Sequence, residues 1–307
     1  MKQICIIVNP TAGKGAAKKL LPEIEQVIDG LGLDYEIKFT DHPGHGIQLT
    51  EEACFEEYKT LVAVGGDGTV NEVINGMMRA KQKNALLPNL AVLPVGRGND
   101  FSFGMGIPQD LVAACQLLAN GNSREIDIGF VKGGDYPDGR YFGNGFGIGF
   151  DTVVGFEAAK LPPYIDGVPA YLYAALKTIF LYFKAPLIRL DIDGEIIEQP
   201  CILVSMMNGR RMGGSFMFAP ESESDDGILN LCIAGQVTRW QVLGLFPQVM
   251  SGTQEKHPAI KMLTGKAIKI TAIEGTLPVH ADGETICVAG EALQVDILPR
   301  ALRLVSP

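Results

Sequence analysis

Three short glycine-bearing runs are the first candidates for chemistry: Asn9-Pro10-Thr11-Ala12-Gly13-Lys14-Gly15, Gly65-Gly66-Asp67-Gly68-Thr69 and Gly96-Arg97-Gly98-Asn99-Asp100. Glycine has no Cβ, so a loop built from it lets backbone N–H groups come close to a phosphate. Each run follows a strand-like stretch, and the helices opening after these loops would add positive dipole ends at the same place. A single such loop also reads as a plain strand-to-helix turn; three on one sheet edge favour an anion cradle. No GxxxxGK[ST] occurs, and the segment from Gly65 lacks GxGxxG spacing, which argues against a Walker-type loop and a dehydrogenase. Asp67 narrows the chemistry. A carboxylate beside a triphosphate repels it unless a cation lies between, so Asp67 points to Mg²⁺ or a water bound to it. Its plain reading is a cap on a helix beginning near Thr69.

The elements that must position these loops can be read from periodicity. Ile4–Val8, Tyr35–Phe39, Leu61–Val64 and Leu90–Leu93 are short apolar strands. Helical spacing follows each, around Leu20–Ile28, Ile47–Tyr58, Val70–Met77 and Leu111–Leu118. Strands alternating with helices predict an α/β domain with a mostly parallel sheet, whose carboxyl edge carries the three loops. Beyond Ile128 the texture becomes glycine-rich and strand-dense: Tyr141–Phe150, Leu187–Ile192, Ile202–Met207, Ile228–Ala234, Ala267–Ala272 and Leu293–Leu298. That pattern predicts a mainly antiparallel β-sandwich or barrel. The cleft between two such domains is the default place for a ligand. One helix interrupts the strands at Tyr171–Phe183. Its apolar stripe reads first as packed on the sandwich and second as a membrane-facing surface with Lys177 and Lys184.

Composition sets the outer bounds. A chain of 307 residues, 47% hydrophobic and 20% charged, suits two globular domains. A formal charge of −9 argues against a nucleic-acid binder that tracks phosphates. The six cysteines form no CxxC or zinc pattern and read as reduced thiols of a cytoplasmic protein. Gln3–Val8 reads directly as a strand with no apolar leader, and Ala170–Leu190 is broken by Lys177, Lys184 and Pro186, so membrane contact should be peripheral. His42, His45, His257 and His280 show no metal-ligand spacing. Asp193-Gly194-Glu195 and Asp282-Gly283-Glu284 repeat the same letters, and Asp-Gly is a hairpin signal in both.

Taken in order, these segments resemble the diacylglycerol kinase catalytic-domain family, with its bacterial lipid kinase and sphingosine kinase relatives. Asn9-Pro10-Thr11-Ala12-Gly13-Lys14 looks like its first nucleotide motif, Gly65–Thr69 with Asn71-Glu72 its most diagnostic one, and Leu93–Phe101 its third. The resemblance runs on through Asn208-Gly209, Ala219-Pro220, Asp225–Leu229, Asp282-Gly283-Glu284 and Leu298–Leu302. It covers nearly the whole chain, and the ordered set is far more specific than the GGDGT run alone.

That resemblance implies an NAD kinase/phosphofructokinase-like ATP-binding domain over residues 1–128, to which residues from about 299 to 307 return, and a lipid-substrate domain over 129–298. It implies ATP phosphates over Gly65, Gly66, Asp67, Gly68 and Thr69, and the purine side near Asn9, Pro10, Thr11, Ala12, Gly13 and Thr40. Asn71, Glu72, Gly96, Arg97, Asn99 and Asp100 complete the cofactor set. Arg97 departs from the threonine common at that place. A structural Mg²⁺ is implied at Glu223, Asp226 and Ile228, alongside the ion at Asp67. Asp282 and Glu284 become the catalytic pair, one taking the acceptor's proton and the other orienting the metal or the base. The expected activity is Mg-ATP-dependent phosphorylation of a lipid hydroxyl, diacylglycerol or a related lipid, at the inner membrane face. A homodimer is admitted and nucleic acid is not expected. The alternatives are an NAD kinase-like enzyme with a soluble substrate and a non-catalytic nucleotide-binding regulator.

Overall fold

In the computed structural model, which describes residues 3–120, 122–162, 165, 167–181 and 183–307, the chain divides into two units. These are Met1–Ile128 with Pro299–Pro307, and Gly129–Leu298.

The first unit alternates β1 (Ile4–Val8), α1 (Ala12–Gly30), β2 (Tyr35–Phe39), α2 (His45–Ala53), β3 (Thr60–Gly65), α3 (Asp67–Gln82) and β4 (Asn89–Pro94). The short α4 (Asp100–Gly104) and then α5 (Leu111–Asn120) follow. All five residues of β1 are buried, as expected of a strand covered on both faces. The strands are parallel in the order β2-β1-β3-β4, with Ile4 opposite both Tyr35 and Thr60. The chain's last segment adds a further parallel partner, Leu304 opposite Leu90. Connections leave β1 toward β2 and then cross to β3, so the loops after β1 and β3 diverge at the point where a parallel sheet opens a crevice. α2 stops at Ala53, five residues short of the expected Tyr58. That tyrosine is buried and donates to Glu36 Oε2 at 3.0 Å instead of extending a helix.

The second unit begins within β5 (Ser123–Gly133). It continues with β6 (Tyr136–Phe142), β7 (Gly145–Gly149), α6 (Phe150–Ala159), α7 (Gly167–Leu181), β8 (Leu187–Ile192), β9 (Glu195–Met207) and β10 (Leu229–Gly235). Then come α8 (Arg239–Ser251), β11 (Ile260–Gly265), β12 (Ala267–Ala272), β13 (Leu277–Ala281), β14 (Glu284–Gly290) and β15 (Ala292–Val305), whose end is the first unit's last strand. β9 is long enough to serve two layers. Its first half pairs β8, which pairs β12 and then β15. Its second half lies between β7 and β10, with β13 and β14 beyond β7. Every one of these pairings is antiparallel, and Phe142, Phe146, Leu190, Val204, Leu231, Ile270 and Val295 fill the space between the layers. Leu203 and Met207, on the face of β9 opposite Val204, join Ile179, Val242 and Leu245 of the covering helices in a second cluster.

The α/β unit and the antiparallel sandwich agree with the sequence reading. One stretch does not. Tyr141–Phe150, expected as a single strand, is the end of β6, a Gly143-Asn144 turn, β7 and the first residue of α6. The β13–β14 hairpin turns at Asp282-Gly283, where the sequence carries a hairpin signal, and α8 is an addition to the expected elements. Among the described residues no helix is long and apolar enough to cross a membrane.

Candidate active site

The three glycine runs lie at the carboxyl ends of β1, β3 and β4, and they touch. A Cβ on Gly66 would stand 3.1 Å from Gly96 Cα, and one on Gly13 would collide with the Val95 carbonyl oxygen. Gly13, Lys14 and Gly15 hold φ of +59°, +59° and +85°, a left-handed run between β1 and the regular part of α1 that glycine adopts readily. Asn9 turns inward on its own loop: its Oδ1 accepts from Thr11 N at 3.1 Å and Thr11 Oγ1 at 2.8 Å. Thr40, at the end of β2, is buried and donates its N–H to Val8 O at 2.9 Å.

Asp67 opens α3 rather than capping a helix from Thr69, and Gly66 precedes it with no side-chain cap on the helix. Asp67 Oδ1 accepts the Phe101 N–H of α4 at 3.0 Å, while Gly98 lies against Oδ2. The second loop is thereby tied to the third. Asn99, left-handed at φ +50°, closes the third loop by accepting Gly96 N–H at 2.9 Å and donating to Gly96 O at 3.1 Å. Asp100 is buried, and Arg97 is exposed at the loop's tip. Glu72 and Asn71 sit deeper. Glu72 receives the Gly44 and Gly46 amides at 2.7 and 2.8 Å and so caps α2, and buried Asn71 is bonded by Asn75. Glu72 therefore positions the entry to α2, and Asn71 is held within α3. Sequence motif alone does not separate such supports from ligand contacts.

In the second unit Asp282 occupies the β13–β14 turn at φ +48°, followed by Gly283 at +82°. Its carboxylate is clasped by three consecutive amides of the β6–β7 turn. Gly143 N–H donates to Oδ2 at 2.7 Å, and Asn144 and Gly145 N–H donate to Oδ1 at 2.9 Å each. Glu284, two residues on, is exposed at the start of β14. The Asp193 copy is built the same way at φ +52°, its carboxylate taking the Lys266 and Ala267 amides at 2.9 Å each. Burial separates them: Asp282 is buried and Asp193 is exposed.

The turn holding Glu223, Asp226 and Ile228 offers two exposed carboxylates and a main-chain carbonyl, with Gly227 at φ +73°. Asp226 Oδ1 accepts the Ile228 N–H at 2.9 Å, which draws the turn tight. Hard oxygen donors of this kind fit Mg²⁺. Ser222, just ahead of the turn, donates to Asn208 O at 3.0 Å, and Asn208 Nδ2 donates to Gly143 O at 2.8 Å. The candidate metal turn and the clasp around Asp282 thus share one hydrogen-bonded chain.

Two groupings escaped the sequence reading. Asp41, His42 and His45, in which no ligand spacing was recognised, gather their ligand atoms within 4.8 Å on the surface between β2 and α2. His42 beside Asp41 holds that carboxyl below its usual range. His280 Nε2 meets Asp151 Oδ2 at 3.1 Å, and neither His280 Nδ1 nor Asp151 Oδ1 has a hydrogen-bond partner. Gly147 makes room for the pair, since a Cβ there would strike both side chains. The Gly145–Gly149 alternation was the available signal. All six cysteines are buried, and desolvation pushes Cys54 and Cys232 up to about 12 and Cys115 up to about 11, which makes these three poor nucleophiles at neutral pH.

Two family profiles match the chain: the diacylglycerol kinase catalytic domain over residues 3–131, and the YegS C-terminal NAD kinase beta sandwich-like domain over residues 146–306. The diacylglycerol kinase of Staphylococcus aureus (strain bovine RF122 / ET3-1) is 31% identical over 283 residues, 92% of this chain and 86% of that one. That of Staphylococcus carnosus (strain TM300) is 28% identical over 284 residues, 92% and 89% of the two chains. A crystal structure of a provisionally named diacylglycerol kinase from Bacillus anthracis strain Sterne superposes with a TM-score of 0.78 at 25% identity, covering 100% of this chain and 97% of that one.

Proposed function

This chain belongs to the diacylglycerol kinase family, and from that premise we propose that it is a lipid kinase moving the γ-phosphoryl group of ATP to a lipid hydroxyl. Diacylglycerol is the first acceptor to test. The observation carrying the reading is the meeting of three glycine loops at one sheet edge, beside the α3 N-terminus that no side chain caps. Bare backbone and a helix dipole there suit a polyphosphate.

In this reading the first unit holds the nucleotide. Its phosphates lie over Gly65–Thr69 and Gly96–Asn99, its purine side near Asn9–Gly13 and Thr40. Asp67 would hold the Mg²⁺ that neutralises phosphate oxygens, and the turn Glu223–Ile228 would hold a separate, structural Mg²⁺. Asp282 and Glu284 act on the acceptor. The hydroxyl oxygen bonds to the γ-phosphorus, the bond to the ADP oxygen breaks, and the hydroxyl proton passes to a carboxylate of this pair. The clasp of three amides keeps Asp282 in one orientation, so little reorganisation is needed as that proton moves.

The test is transfer of label from γ-labelled ATP to a panel of lipid alcohols in mixed micelles with Mg²⁺. Label in one organic-phase product supports the reading and names the acceptor. A nucleotide-binding protein that labels no lipid overturns it. The sandwich profile's NAD kinase description favours NAD as the soluble acceptor to include.

A further inference from the structure

We propose that Asp41, His42 and His45 form a binding site for a divalent transition metal, Zn²⁺ foremost, on the surface of the first unit. A turn builds the site. His42 and His45 flank Pro43-Gly44, His45 N–H donates to His42 O at 3.2 Å, and Gly44 holds φ +85° and ψ −12°. Those are the marks of a type II turn, which favours proline at its second position and glycine at its third. The turn lays the two imidazoles over one another, with centroids 4.8 Å apart and planes 10° apart. Asp41, at the turn's entrance, puts Oδ1 against His42 Nδ1 and 2.7 Å from His45 Nδ1. Three ligand groups are thus gathered before any ion arrives, so little ordering is left for binding to cost.

The donor set selects the ion. Two imidazoles and one carboxylate match a three-ligand zinc site with a position left for water, whereas Mg²⁺ prefers oxygen ligands. Tetrahedral bonds of ~2.0–2.1 Å set ligand atoms roughly 3.3 Å apart, so the Asp41–His45 contact must open by about 0.6 Å. The Asp41 and His42 side chains are 72% and 63% exposed and have room for that movement, while His45, at 19%, is the fixed member. The contact also lacks something that an ion supplies. Asp41 N–H approaches His45 Nδ1 at 3.2 Å, and a nitrogen that accepts this amide carries no proton toward Oδ1. Two lone-pair donors 2.7 Å apart then face each other, and a cation between them removes the repulsion. The N-terminus of α2 brings a positive dipole end close by. Glu72, accepting the Gly44 and Gly46 amides at 2.7 and 2.8 Å, sets a carboxylate against it. The site needs neither ATP nor lipid and stands apart from the lipid-kinase reading.

The experiment uses full-length protein carrying no affinity tag, stripped by chelator dialysis. It is titrated with Zn²⁺, with and without excess Mg²⁺, and followed by calorimetry and equilibrium dialysis. Wild type should bind a single Zn²⁺ per chain that excess Mg²⁺ does not displace. His42→Ala and Asp41→Asn, both at exposed positions, should bind at least tenfold more weakly, and His257→Ala should bind as wild type does. Zn²⁺ should raise the melting temperature of wild type and not of His42→Ala, since an ion held by the folded state alone stabilises it. Wild type that shows no saturable Zn²⁺ binding overturns the proposal, as does a His42→Ala protein that binds equally well. Displacement by Mg²⁺ overturns it too, because the ion would then belong on oxygen ligands such as those of the Glu223–Ile228 turn.

Discussion

Gly66 and Gly96 meet backbone to backbone: Gly66 lies in the strand-to-helix turn after β3 and Gly96 in the one after β4, a Cβ on Gly96 has no room, and one on Gly66 would be crowded at 3.1 Å. The added methyl of Gly96→Ala would collide with Gly66 Cα and stand 2.5 Å from Asn99 Oδ1. Two loops that close must move as one, and the proposed phosphate site depends on their spacing.

Gly96→Ala should therefore cost about 1–3 kcal/mol through overpacking and raise KM for ATP at least tenfold. Gly155→Ala is the contrast, since nothing lies within 4 Å of a Cβ at this α6 position. It should be neutral or stabilise by up to about 1 kcal/mol. Thermal melts with steady-state kinetics check both, and equal ATP affinity in wild type and Gly96→Ala would remove the proposed role of the contact.

The twin Asp-Gly turns give a control for catalysis. Asparagine in place of Asp282 or Asp193 puts an amide NH₂ or a weaker acceptor against backbone donors, at a cost of about 1–3 kcal/mol in either case. Both variants should melt several degrees lower. Label transfer should disappear in Asp282→Asn alone. Loss of activity in both would mean that the assay reports stability, not the proposed base.

Glu157 supplies a pH dependence. Its buried carboxylate accepts Lys160 Nζ at 2.6 Å, and Lys177 Nζ stands 2.6 Å from the other oxygen as an ion pair rather than an aligned hydrogen bond. The Lys160 bond, then that to Lys177, outweigh burial and hold the carboxyl below its ordinary range. A depressed folded-state value contributes stability above the unfolded value near ~4.3 and loses it as pH falls through the folded one. Glu157→Gln should thus melt lower than wild type at pH 7, with the gap closing below about pH 4. A gap constant from pH 7 to pH 3 would contradict this.

Chelation tests the turn at Glu223–Ile228. Dialysis against EDTA should lower the melting temperature by a few degrees, as expected when a ligand near 100 times its Kd is withdrawn from the folded state. Returning Mg²⁺ should restore it in wild type and not in Glu223→Gln/Asp226→Asn. In Ser222→Ala, which cuts the chain to Asn208 and Gly143, Mg²⁺ should still raise the melt while activity falls. An unchanged wild-type melt on chelation would remove this metal assignment.

The amino-acid sequence by itself determined what depends on neighbours along the chain. Alternating strand and helix periods gave the parallel unit, dense short strands gave the sandwich, and glycine runs fell at the ends of β1, β3 and β4 because a turn's φ values are a local demand. Two glycine-containing turns with the same letters, at Asp193 and Asp282, are indistinguishable at that level. The tertiary structure decided their difference, because Asp282 finds its three amides 137 to 139 residues away while Asp193 finds its own 73 and 74 residues away in an exposed loop. The same holds for Glu72 on the Gly44 and Gly46 amides and for His280 on Asp151. A carboxylate's partner across such separations is set by strand register and crossover topology. No local pattern encodes that, and only the assembled sheet brings the groups within hydrogen-bond reach.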